Sequence, residues 1–296
     1  MSSICLPDGK PDMPYGSICC LRQLDMQSSI ARRIKVKNMI TKQSPIAVVD
    51  SGMGGITVLR KLHRIMPNEN YIYFGDSANS PYGTKTKEQI REITVALAEK
   101  MMERGAKSVV IACNTATSAA ASYLREKYPD YPFVGIEPAL KPAALSSKWP
   151  RVLVLATPLT LKEEKFNKLM ARFEDDAEFI KLPAPELVGF VERGQVDSDE
   201  CVEYLERILE PYADHKVDAV VLGCTHFPFA RKQIQKILGE EVLVFEGSMG
   251  AAKQCQRLLE ERALLNDSEE EGTISFENSD PSKIEQCIEM FGYTDV

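Results

Sequence analysis

With 296 residues, 44% hydrophobic and 27% charged, the chain has the balance of a soluble globular protein, long enough for one large domain or two modest ones. A net charge of -7 and no basic stripe argue against nucleic acid as a ligand, and no apolar run approaches the roughly 20 residues of a membrane helix. The start of the chain lacks a charged leader followed by an apolar segment, so a cytoplasmic protein is expected.

Residues 1–44 differ from the rest. They hold Gly and Pro near 8–16, three cysteines and a basic patch at Arg32, Arg33 and Lys35, without sustained periodicity. They read as a poorly ordered extension or as translation upstream of a start at Met39, with a regulatory arm as the alternative. From Pro45 strands and helices alternate. A strand at 46–49 meets a glycine turn at 52–55, then a helix with Ile56, Leu59, Leu62 and Met66 on one face. A strand at 71–74 follows. Thr86 and Gln89 have the spacing of a capping box, opening a helix with Ile90, Ile93, Leu97 and Met101 as its apolar stripe and Gly105 as its stop. A strand at 108–112, a helix through Leu124 and a strand at 133–136 complete this half.

The order then begins again. Strands are expected at 151–156, 178–182, 217–222 and 242–245, with helices at 161–173, 202–212, 230–238 and 251–264. An acidic linker at 266–272 leads to a strand near Ile274 and a helix at 284–291. The predicted fold is α/β: two pseudo-symmetric three-layer domains with mainly parallel sheets and a site in the cleft between them. The boundaries are 1–44 for the extension, 45–140 plus 247–265 for the first domain, 141–246 for the second and 266–296 for a C-terminal linker and extension.

One internal similarity outweighs the separate elements. Residues 108–115 and 219–226 are both apolar strands ending in a small residue, a cysteine and a polar turn before a helix. Each cysteine also lies a similar distance past the strand that opens its half. Duplicated halves would set Cys113 and Cys224 at the carboxyl ends of strands, where open α/β sheets bind ligands.

A thiol acts as a base only as thiolate, and a free cysteine has a pKa of about 8.5. A helix N-terminus favours the anion, and both cysteines precede a helix. His226 is close enough to exchange a proton with Cys224, and Asp50 could do the same near Cys113. One thiolate can take the α-proton of an amino acid while the opposite thiol returns one, inverting the centre. The Gly52–Gly55 turn (residues 52–55) is neither a dinucleotide nor a phosphate-loop motif, and it can present N–H groups to a carboxylate. With eight irregularly spaced cysteines, no CxxC pair and three histidines, no metal site and no cofactor are expected.

Asp50-Ser51-Gly52-Met53-Gly54-Gly55, Tyr73-Phe74-Gly75-Asp76, Pro81-Tyr82-Gly83, Ala112-Cys113-Asn114-Thr115-Ala116 and Gly223-Cys224-Thr225-His226-Phe227-Pro228 together resemble the glutamate racemases, over about residues 45 to 265. The resemblance implies interconversion of L- and D-glutamate without pyridoxal phosphate or metal, to supply D-glutamate for peptidoglycan. It implies Cys113 and Cys224 as the catalytic pair, the first acting on D-glutamate and the second on L-glutamate, assisted by Asp50 and His226. Asp50, Ser51, Pro81, Tyr82, Gly83, Asn114, Thr115, Thr225 and His226 would bind the substrate, Glu192 matches a further acidic position, and the assembly would be a homodimer. The chain departs from the family at Phe245-Glu246-Gly247-Ser248, where many members have Asp-Ser-Gly, and in its long N-terminal extension.

Related two-cysteine racemases acting on aspartate or hydantoins are the nearest rival readings. A decarboxylase of the superfamily needs one thiol, and a two-lobed amino-acid-binding module would leave the paired thiols unexplained. Cys201, Cys255 and Cys287 lie on apolar helix patterns and read as structural. His63 reads as a core or boundary residue, His215 as solvated, and Glu269 to Glu271 as an exposed linker.

Overall fold

The computed structural model describes residues 40–214 and 216–293. The expectations for residues 1–39, including Cys5, Cys19, Cys20, the basic patch and the start at Met39, and for His215, fall outside the described residues.

The first parallel sheet has the order β4-β3-β1-β2-β9, from β1 (Ile46–Asp50), β2 (Tyr71–Gly75), β3 (Ser108–Ile111), β4 (Phe133–Gly135) and β9 (Ile274–Asn278). The second has the order β6-β5-β7-β8, from β5 (Arg151–Ala156), β6 (Glu178–Pro183), β7 (Ala219–Leu222) and β8 (Leu243–Glu246). Written from the other end, β8-β7-β5-β6 repeats β4-β3-β1-β2 strand for strand. The repeat extends to single hydrogen bonds. Ala112 N–H donates to the Val49 carbonyl at 2.8 Å, and Gly223 N–H to the Leu155 carbonyl at 2.7 Å. Each is the residue before a cysteine.

Helices cover both faces, which is why the central strands are apolar on both sides. In the first half, Ile46, Val48 and Tyr73 pack with Ile56, Leu59 and Leu62 of α1 (Ile56–Ile65). The opposite face, with Ala47, Val49, Val109 and Ile111, is equally buried. α2 (Lys87–Glu103) starts where expected. The Thr86 hydroxyl accepts from Gln89 N–H, and the Gln89 side chain accepts from Thr86 N–H at 3.0 Å. It stops at Gly105, whose φ of 83° is open to glycine at little cost. Its buried stripe is rotated from the expected one, running Ile90, Thr94, Ala98 and Met101. Thr94 is tolerated there because its hydroxyl donates to the Ile90 carbonyl at 2.7 Å. α3 (Asn114–Lys127) follows β3.

In the second half, α4 (Leu140–Ala144) and α5 (Pro158–Lys162) precede α6 (Glu164–Ala171). The single helix expected at 161–173 is thus two. Thr157 caps α5 by accepting from Thr160 N–H at 3.3 Å, with Pro158 at the first helical position, and Glu163 is extended. α7 (Leu187–Glu192), α8 (Asp199–Leu209) and α9 (Arg231–Leu238) complete the half, with Leu153, Leu155, Leu187, Leu205 and Ile234 in one core. α10 (Ser248–Glu260) then returns to pack Ala251, Ala252, Cys255 and Leu259 into the core of the first half. Residues 266–296, expected as linker and extension, contribute more: β9 pairs with β2, and α11 (Ile284–Gly292) adds Cys287 and Met290 to that core. No described helix is long and apolar enough to cross a membrane.

Candidate active site

Because the two sheets repeat one topology, equivalent strand ends carry equivalent positions. Cys113 follows β3 and caps α3, its sulfur accepting from Ala116 N–H at 3.5 Å. Cys224 follows β7, but Thr225, His226 and a 3-10 turn (Phe227–Ala230) come between it and α9. Both line one cavity of about 220 Å³, together with Ser51, Pro81, Tyr82, Gly83, Asn114, Thr115, Thr225 and His226. Every residue expected to touch substrate is on that wall except Asp50, which stands behind it.

The environments of the thiols differ. Cys113 is buried, and burial first and the charge of Asp50 second push its thiol up to about 12, against the Ser51 hydroxyl and Ala116 N–H that favour the anion. Desolvation therefore overrides the helix N-terminus. Asp50 is 3% exposed and its carboxyl lies above the usual carboxylate value, chiefly through burial. Its Oδ2 accepts from Gly52 N–H at 3.2 Å and Gly55 N–H at 3.0 Å, so it also holds the turn. Its Oδ1 has no hydrogen-bond partner among the described residues.

The Cys224 sulfur lies 3.7 Å from His226 Nδ1, and His226 Nε2 lies 2.6 Å from Glu192 Oε1. Burial works against a charged ring, yet the hydrogen bonds to Cys224 and Glu192 and the Glu192 charge outweigh it, holding the imidazole well above its ordinary value. Glu192 is the counterpart. Burial would raise its carboxyl, but the His226 hydrogen bond and charge, with Met53 N–H at 2.9 Å, keep it below the usual range. Gly54 makes this approach feasible, since a Cβ there would sit 2.5 Å from His226 Nδ1 and 2.7 Å from its backbone nitrogen. Elsewhere on the wall, the Tyr82 hydroxyl donates to Asp76 at 2.8 Å. Asn114 Oδ1 is buried without a partner among the described residues.

Residues 46–255 match the family model described as Asp/Glu/Hydantoin racemase. The chain belongs to that family. Within it, the chain groups with the glutamate racemases and is an isomerase. It is 47% identical over 238 residues to a glutamate racemase of Clostridium perfringens, covering 80% of this chain and 92% of that protein. It is 47% identical over 242 residues to one from Bifidobacterium adolescentis, covering 81% and 93%. Among solved structures of the racemases, Francisella tularensis glutamate racemase in complex with D-glutamate aligns with a TM-score of 0.73 at 31% identity, covering 86% of this chain and 96% of that one. The Escherichia coli enzyme in complex with L-glutamate and activator UDP-MurNAc-ala aligns with a TM-score of 0.74 at 32% identity, covering 84% and 96%.

Sequence reasoning passed over Thr157, Thr160 and Val188, which also line the cavity. Thr160 bridges the halves, its hydroxyl 3.4 Å from that of Thr115 and 3.0 Å from that of Thr157. The duplication held the signal, because Thr157 follows β5 as Ser51 follows β1. The structural cysteines behave as expected, Cys201, Cys255 and Cys287 all being buried and free. His63 is a boundary residue, 3.2 Å from Glu271 and edge-on to Tyr71.

Proposed function

We propose that this protein interconverts L- and D-glutamate by two-base proton transfer, with Cys113 and Cys224 acting from opposite faces of the α-carbon. The observation that carries the reading is that both sulfurs line one small cavity at equivalent strand ends of a duplicated scaffold. At about 220 Å³ the cavity suits a single amino acid rather than the drug-sized ligands that take roughly 300–1,000 Å³.

In the L-to-D direction, the Cys224 thiolate takes the α-proton and becomes a thiol. The Cys113 thiol gives its proton to the far face and becomes a thiolate, so the substrate keeps its composition and one proton has moved across the site. Burial keeps Cys113 protonated in the free site, the form this direction needs. Turnover in the other direction starts from the reverse arrangement. His226, held protonated by Glu192, faces the Cys224 sulfur and can return a proton to it. Asp50 acts beside Cys113 through its nearby charge, and Ser51 through its hydroxyl.

Asn114 Oδ1 is a buried acceptor without a partner among the described residues and on the cavity wall, suited to the substrate ammonium. Thr115 and Thr225, with backbone N–H groups of Ser51, Tyr82 and Gly83, supply donors for the two carboxylates, and Pro81 shapes the wall beside them. Glu192 acts through His226 rather than on substrate. In this reading the lobes are 45–140 with 247–265, joined by β9 and α11, and 141–246; the protein is cytoplasmic and homodimeric, and its D-glutamate serves peptidoglycan synthesis.

Circular dichroism with L-glutamate, D-glutamate and L-aspartate in D2O, followed by mass spectrometry, tests the reading. Decay of both glutamate signals is expected, with one solvent deuteron at the α-carbon of the product. A stable glutamate signal overturns it, and decay of aspartate alone moves the assignment to an aspartate racemase.

A further inference from the structure

Glu192 is the last residue of the six-residue helix α7, where the carbonyl groups have no partner within the helix. The chain leaves at once through Arg193 and Gly194, the latter at φ 65°. A side chain that must hold a histidine at 2.6 Å is thus mounted on a helix end. Two groups from far along the chain meet that end. Lys283 Nζ donates to the Glu192 carbonyl at 3.0 Å and Gln286 Nε2 donates to the same oxygen at 3.3 Å. Lys283 also donates to Gln286 Oε1 at 3.2 Å, so the two form one clasp. Beside it lies a cavity of about 550 Å³ lined by Val191, Gly194, Phe229, Met290 and Tyr293 among others. The buried Leu187, Phe190 and Val191 seat the helix in the core, and the clasp adds the hydrogen bonds at its last carbonyl.

We infer that α11 and the residue before it position the second proton-transfer pair: Lys283 and Gln286 clasp the Glu192 carbonyl, and the Glu192 carboxylate in turn fixes His226 against Cys224. The inference rests on the racemase mechanism proposed above. Lys283 and Gln286 are positioning residues, since neither lines the cavity that holds the thiols. They lie beyond the 46–255 segment that the family model covers. The Lys283 cation complements the helix C-terminus and adds to the charge that keeps Glu192 ionised. The other titratable groups facing Glu192 are His226 after β7, Asp50 at the end of β1, Tyr73 on β2 and Cys287 on α11.

The test is a full-length Lys283→Met, Gln286→Met double variant carrying 15N-labelled histidine. The chain has three histidines, so the imidazole spectrum is simple and His226→Gln identifies the resonance that matters. The titration midpoint of His226 is expected to fall in the double variant. Its glutamate kcat should drop roughly tenfold or more, as for a misplaced catalytic group. KM should change by less than about twofold, because ground-state binding is untouched. Restoring Lys283 as arginine, in Lys283→Arg, should keep both the midpoint and kcat near wild type. A folded double variant with an unchanged midpoint overturns the inference, whether kcat is retained or falls together with thermal stability. The midpoint needs no substrate, so a wild-type protein inert toward glutamate would sink the racemase mechanism while the clasp is still judged by the spectrum.

Discussion

Cys113 and Cys224 follow equivalent strands, one residue past the N–H that ties each to the opening strand of its sheet. Their partners are not equivalent. Asp50, beside Cys113, corresponds in the repeat to Ala156, and His226, beside Cys224, corresponds to Thr115. Cys113 caps a 14-residue helix and is 6% exposed, while Cys224 opens onto a 3-10 turn and is more accessible. His226 is held by Glu192 on α7, which stands in the repeat where the first half has its 3-10 turns at 77–84. Duplication sets where the sulfurs stand, and residues that differ between equivalent positions of the repeat set the surroundings of each. In the proposed mechanism that division suits two separate proton transfers, one on each face of the same carbon.

The strongest way to break the comparison is to remove one thiol at a time. Cys113→Ala and Cys224→Ala should each lower racemisation by roughly 10² to 10⁴, since neither face can complete inversion alone. Circular dichroism reads this directly, and near-native turnover in either variant would mean the halves do not work as a pair. Glu192→Gln should cost roughly tenfold to a hundredfold in kcat. The sign with pH follows from His226, whose imidazolium is held above its ordinary value partly by the Glu192 anion. Without that anion the proton leaves at lower pH, so the alkaline limb of the rate profile should move down. An unmoved limb would remove Glu192 from the proton circuit.

Thiol reactivity sharpens the contrast. With its thiol pushed up to about 12 and its sulfur buried, Cys113 should be alkylated by iodoacetamide at pH 8 more slowly than the more accessible Cys224. A difference of at least roughly tenfold is expected, since the thiolate is the reacting species. Mass spectrometry of the modified peptides measures it, and equal rates would refute the asymmetry. The smallest effect concerns backbone approach. Gly54→Ala should destabilise by about 1–3 kcal/mol, because the new methyl meets both the ring and the backbone of His226. Gly83→Ala, whose Cβ meets nothing, should stay within about 0.5 kcal/mol in the same denaturant titration.

Much of this was legible in local pattern. The capping box at Thr86 and Gln89, the stop at Gly105 and the strand-to-cysteine repeat all depend on neighbours within a few residues, and each is present as read. The helix expected at 161–173 was misjudged because apolar spacing cannot register a cap that begins at Thr157 or the extended backbone at Glu163. The stripe on α2 rotated because Thr94 hides its hydroxyl against the Ile90 carbonyl, a contact that polarity alone argues against. The place of Cys113 before a helix predicts a favoured thiolate. The N–H contact exists, but the desolvation that outweighs it depends on everything packed around the sulfur.

The sequence by itself determined the α/β alternation, the duplication and the matching places of Cys113 and Cys224 at strand ends, because these follow from periodicity and from residue types a short distance apart. Only the tertiary structure decided which groups address each thiol. His226 meets Glu192 across 34 residues of sequence, and Glu192 meets Lys283 and Gln286 across a further 91 and 94. Such pairings depend on how helices seat on two sheets, and burial then fixes the charge each group carries. Neither quantity is written in the spacing of residues along the chain.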